Sequence, residues 1–146
     1  MGKYIKLSKE PAQNNHINAK LQRENFEQNG NDKLVFVSIK NLQNSYQCFS
    51  EWTKSEMSKF WDFNRRIHQM TWQNIYDTAN TGKNKRGMAY TSIPRSKYKS
   101  IYYIKNLSKD IDFFELRVDG ELRVHGFREK SIFQLCLLDR EHTICK

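Results

Sequence analysis

Arg117 and Arg123 stand on either side of the turn-forming sequence Val118-Asp119-Gly120-Glu121-Leu122, with Glu115 and His125 one alternation further out. If the chain folds back at Gly120, two guanidinium groups, a carboxylate and an imidazole meet on one face. Guanidinium groups grip phosphate through paired hydrogen bonds, and an imidazole exchanges protons near neutral pH. Such a set could neutralise a phosphodiester and move a proton beside it with no metal ion. His142, in Asp139-Arg140-Glu141-His142, is a second candidate for proton transfer. His16 lies in a polar segment, and His68 sits near the end of an expected helix, where a cation suits the C-terminal dipole. Neither is assigned a role.

The face depends on strand register, because a slip of one residue exchanges the two sides. The stretches FFELRV, LRVHGFR and IFQLCLLD, separated by turn residues, read as a three-stranded antiparallel meander. A loop of Asp119-Gly120-Glu121 pairs Val118 with Leu122 and Leu116 with Val124. Arg117 then lies beside Arg123, and Glu115 beside His125. For the second hairpin, a loop of Glu129 and Lys130 pairs Val124 with Leu135 and Leu122 with Leu137. Helices are expected over the apolar face. Arg123, His125 and Phe127, beside Ile132, Gln134 and Cys136, are expected on an open one. Adjacent arginines repel, and a bound anion would remove that conflict.

Upstream, Leu34–Ile39 is a short β-branched run that suits a buried strand. Between Ser50 and Met70, Trp52, Met57, Phe60, Trp61, Ile67 and Met70 recur at helical spacing. Thr71 can cap a second helix carrying Trp72, Ile75, Tyr76 and Ala79, which Thr81-Gly82 would end. Ile101–Ile104 suits either a further strand or packing against the helices. The fold class is therefore α+β, with a small antiparallel sheet and helices on one face. The domain spans 34–146, and residues 1–33, poor in apolar side chains, form a flexible arm.

The 146 residues carry 25 Lys and Arg against 16 Asp and Glu, a formal charge of +9 that favours a polyanionic partner. Nucleic acid is the commonest such partner; a membrane surface or an acidic protein would feel the same field. Residues 83–99 hold six basic side chains and no acidic one, with Tyr90 and Tyr98 among them. Lys83, Lys85, Arg86, Arg95 and Lys97, together with Arg128, are candidate RNA-binding residues. Cys48, Cys136 and Cys145 form no CxxC pair and read as reduced thiols. No apolar run is long enough to span a bilayer and no signal peptide opens the chain, so a cytoplasmic location is expected. Asp110 with Asp112, and Asp139 with Glu141, lack the spacing of a metal site, so no cofactor is expected.

The order strand, two helices, basic linker and meander, with Glu115-Leu116-Arg117, Arg123 and the apolar strand Ile132–Leu138, resembles the RelE and HigB type toxins of bacterial toxin–antitoxin systems. The segment from Phe113 to His142 carries most of the likeness. The resemblance implies an mRNA interferase, a metal-independent endoribonuclease acting on mRNA, in many members on the ribosome, and neutralised by an antitoxin. By that resemblance Arg117 and Arg123 hold the phosphate, while His125 and His142 supply base or acid. A second reading is a non-catalytic protein of the same fold that binds nucleic acid or inhibits a host enzyme, as ParE toxins do.

Overall fold

The computed structural model describes residues 30–79 and 87–144. Its elements in chain order are Phe36–Ser38 (β1), a 3-10 turn Phe49–Glu51, Lys54–Ile67 (α1), Trp72–Asp77 (α2), Thr91–Ser92 (β2), a 3-10 turn Arg95–Tyr98, Tyr102–Lys105 (α3), Phe113–Asp119 (β3), Leu122–Glu129 (β4) and Ile132–Asp139 (β5). Both longer helices start at capping boxes, Thr53 with Glu56 and Thr71 with Asn74, which satisfy the free N–H groups of the first turn. Arg140, just after β5, grips the Glu56 carboxylate through two hydrogen bonds of 2.7 and 2.8 Å and so ties the start of α1 to the sheet. Those bonds outweigh burial and draw the Glu56 carboxyl down to about 2.

The strands form one five-stranded sheet in the order β1-β5-β4-β3-β2. The α+β class holds, but the sheet is larger than a meander plus one strand and it is mixed, because β1 runs parallel to β5. β1 is a half-buried edge strand and not a buried one. Its backbone is tied down from outside the sheet: Val37 N–H donates to Nε2 of His68 at 3.2 Å, and Nδ1 of that ring meets the Asn64 carbonyl at 2.6 Å. Since Nε2 accepts, His68 serves as a neutral strut between α1 and β1, and the helix-end cation reading gives way to this one.

The first hairpin pairs Glu115 with His125, Leu116 with Val124 and Arg117 with Arg123, as alternation requires. An irregularity at Val118 then sets Asp119, in place of Val118, opposite Leu122. Gly120 turns the chain at φ 53°, where a side chain is disfavoured. The second hairpin departs further from expectation. Its loop is Lys130-Ser131, and a bulge at Cys136 pairs Val124 with Leu138 and Gly126 with Leu135. Gly126 fits tightly there, since a Cβ on it would lie 2.0 Å from the Gln134 carbonyl oxygen and 2.8 Å from the Phe133 ring. Gly126→Ala is expected to cost about 3 kcal/mol in a urea titration; an unchanged midpoint would mean the bulge relaxes freely.

Two layers cover the sheet. On one face Phe63 and Ile67 of α1 and Trp72 and Ile75 of α2 pack on Leu116, Val124, Leu135 and Leu138. The other face is covered as well, which corrects the expected open surface: Ile93, Tyr98, Ile101 and Ile104 pack on Phe113, Phe127, Cys136 and Leu137. Ile101–Ile104 thus leads into α3 and forms part of this second layer, neither a strand nor a partner of the longer helices. Cys48 and Cys136 are free, and burial pushes the Cys136 thiol up to about 12; Cys145 lies outside the described residues. Of the expected N-terminal arm, only residues 30–33 are described, and they pack on the domain: the Asn31 carbonyl accepts from Gln73 N–H at 2.8 Å. Among the described residues no helix is long and apolar enough to cross a membrane.

Candidate functional site

The covered face has a polar end. Glu115 and His125 are cross-strand partners on β3 and β4, and Asp139 ends β5 opposite Arg123. Two bulk layers leave these side chains little water: His125 and Asp139 are 0% exposed and Glu115 is 4% exposed. Nε2 of His125 lies 3.5 Å from Glu115 Oε2 and 3.6 Å from Asp139 Oδ2. These contacts are longer than hydrogen bonds, and they set both carboxylates against the same ring nitrogen. Nδ1 sits 2.8 Å from the Tyr98 hydroxyl, which comes from the second layer and fixes the ring plane.

Asp139 carries the next part of the construction. Its carboxylate accepts from Thr143 N–H, the Thr143 hydroxyl and Ile144 N–H, each at 3.0 Å. Burial alone would raise this carboxyl, but His125 and those three donors outweigh it and bring it down to about 2. The bonds fold the chain after β5 back over the sheet and hold His142 at φ 54°, a left-handed conformation uncommon for a residue with a side chain. Nε2 of His142 then lies 3.2 Å from Glu115 Oε1, with 24% of the His142 side chain exposed. If Nε2–H donates to the carboxylate, Nδ1 is left as a proton acceptor. Strained backbone held by a buried anchor is a common mark of functional positions.

Glu115 Oε1 also faces Nε of Arg123 at 3.9 Å, with the Arg123 side chain 12% exposed. Burial lowers the Arg123 basicity, which neighbouring Arg117 lowers further and Glu115 opposes. Backbone carbonyls hold both guanidinium groups in place despite that repulsion. Arg123 donates to the Gly120 and Leu122 carbonyls, and Arg117 turns the other way to the Gly87 carbonyl at 3.3 Å. An anion is therefore not required to keep them together. Arg117 does share a cavity of about 260 Å³ with Arg66, Asp119 and Gly120, and this is large enough for a phosphate group.

Of the four candidate catalytic residues, the fold gathers Arg123, His125 and His142 around Glu115 and places Arg117 directly beside them. His125 is fully buried and faces Glu115, which corrects the expectation that it meets a substrate directly as base or acid. Arg95 bonds the Ser108 and Ile104 carbonyls at 2.6 and 2.9 Å and closes the end of α3. Arg128 stacks over Trp72 at 4.6 Å and donates to the Lys130 carbonyl and Asn31. Both are occupied within the fold, whereas Lys97 is exposed. Lys83, Lys85 and Arg86 lie outside the described residues. Asp139 and Tyr98 are additions that sequence reading did not make. The one available signal was a carboxylate closing a strand apolar at nearly every position. Among the described residues no group of three or more His, Cys, Asp or Glu is arranged to hold a metal ion. No family model, curated protein or solved structure matches the chain.

Proposed function

We propose that the chain is a metal-independent endoribonuclease of the RelE and HigB kind, an mRNA interferase restrained by an antitoxin protein. The observation that carries this reading is the partly exposed His142, oriented by buried Glu115 at 3.2 Å in a cluster that also contains Arg123. In the reaction, the 2′-oxygen of a ribose attacks the adjacent phosphorus, and its proton passes to Nδ1 of His142. The bond to O5′ breaks, and O5′ takes a proton from solvent. The products are a 2′,3′-cyclic phosphate and a 5′-hydroxyl. Arg117 and Arg123 stabilise the extra charge on the phosphoryl oxygens, which makes cleavage faster than binding alone would. His125, Asp139 and Tyr98 hold the carboxylate that aims His142.

The test is to map new RNA ends made by the intact protein, with and without translating ribosomes, in buffer containing a metal chelator. Cyclic phosphate ends on translated messages are the expected result. Ends on naked RNA would keep the chemistry and remove the ribosome. Without new ends in either arm, the enzyme reading fails. The internal engagement of Arg95, Arg128 and Arg123 favours the second reading, a non-catalytic protein of this fold that binds nucleic acid or inhibits a host enzyme. Salt-sensitive RNA or DNA binding without product would then be found.

A further inference from the structure

β4 connects two different environments. Arg123, near its start, belongs to the polar cluster, and Glu129, at its end, lies ~20 Å away at the usual rise per strand residue. There a cleft of about 550 Å³ opens between α2, the segment before β2 and the segment leading into β3. Its walls are aromatic. The Tyr76 and Tyr90 rings meet edge to face at 5.2 Å, and Tyr90 lies against Phe114 at 4.7 Å with the planes tilted by 37°. Its rim carries three exposed carboxylates, Asp110, Asp112 and Glu129.

Such a rim is unexpected on a chain of charge +9. Among the described residues none of the three carboxylates belongs to an ion pair. Arg128 also lines the cleft, but its guanidinium is directed to the Trp72 face, the Lys130 carbonyl, Asn31 and the Tyr76 hydroxyl. The Tyr90 hydroxyl is raised first by burial and then by Tyr76 and Asp112, with Arg128 opposing.

Aromatic faces attract cations through their quadrupole, carboxylates attract them by charge, and apolar walls accommodate an alkyl body. Phosphates and carboxylates would be repelled, which separates this cleft from any RNA-binding surface. We propose that the cleft binds a small organic cation, an amine or guanidinium carried on a short alkyl chain. The proposal is independent of the endoribonuclease reading.

The experiment is an amide-resolved NMR titration of the full chain with agmatine, n-butylamine, n-butanol and glutarate. Agmatine and butylamine are expected to saturate, with shifts concentrated at Tyr76, Tyr90, Phe114 and Glu129, while butanol and glutarate leave those amides unmoved. Asp112→Asn, a surface change whose spectrum reports folding directly, is expected to weaken agmatine about fivefold. Tyr90→Leu should weaken it by a similar factor. Equal binding of butanol or glutarate, unsaturable shifts spread over the surface, or unchanged affinity in Asp112→Asn would overturn the proposal. Tighter binding of a blocked Gly-Arg-Gly peptide than of agmatine would also overturn it, since the occupant would then be a partner's side chain.

Discussion

Replacing His142 by Ala is expected to slow the formation of 2′,3′-cyclic phosphate ends by about 10²–10⁴-fold, the usual worth of a positioned general base. The Asp139 bonds to the following turn are made by backbone and hydroxyl groups of Thr143 and Ile144, so they survive the substitution. The ring itself is partly open to solvent, and its packing contribution is small. His142 does hydrogen-bond the buried Glu115 carboxylate, so its loss should cost about 1–3 kcal/mol of stability. With protein that urea titration shows to be folded, the loss of cleavage should appear in the rate of the bound RNA with little change in affinity. Arg117→Ala is the companion variant. It should weaken RNA binding and reduce its salt dependence while preserving the fold, because the lost Gly87 contact lies at the sheet edge. A His142→Ala protein that cleaves at the wild-type rate would remove this residue from the chemistry and move the search to another base.

Asp139→Asn is expected to destabilise the protein by about 3 kcal/mol at pH 7, as the loss of a buried charge with several donors implies. An amide can still accept from Thr143, but its NH₂ group then confronts the Ile144 N–H that the carboxylate satisfied. His125 also loses one of the two carboxylates flanking Nε2. The pH dependence fixes the cause. The Asp139 carboxyl titrates at about 2 in the folded protein, below its ordinary value of 3.8. A group depressed on folding contributes stability above the unfolded value, and that contribution disappears as pH falls through the folded one. The gap between wild type and Asp139→Asn should therefore narrow by about 2 kcal/mol between pH 5 and pH 1.5. Urea titrations across that range measure it; a constant gap would mean that packing, not charge, dominates. Because Asp139 also anchors the turn bearing His142, the variant should lose cleavage even under conditions where it remains folded.

The first hairpin was legible because its residues alternate. Leu116 and Val124 face one side and Glu115 and His125 the other, so only one register keeps like with like. In β5 almost every position of Ile-Phe-Gln-Leu-Cys-Leu-Leu is apolar, so the register that alternation selects, Val124 with Leu135, is not the one formed, Val124 with Leu138. Such a nearly unbroken apolar run fits a strand buried on both faces, and not the third strand of an open meander. α1 and α2 followed from spacing and their threonine caps. The two-residue strand β2 and the turn of α3 did not, since each is too short to carry a period and depends on the sheet beneath it.

By itself the sequence determined the α+β class, the helices behind one face and the cross-strand pairing that joins Glu115 to His125 and Arg117 to Arg123. These depend on local periodicity and turn chemistry, which act over a few residues. The tertiary structure alone decided that the polar face is covered, that His125 is buried and that Arg95 and Arg128 serve the fold. It also decided that Asp139 bends the chain to bring His142 onto Glu115. Those outcomes rest on contacts between residues distant in sequence, such as Tyr98 with His125, and on desolvation, which depends on the layer packed above and leaves no period in the chain.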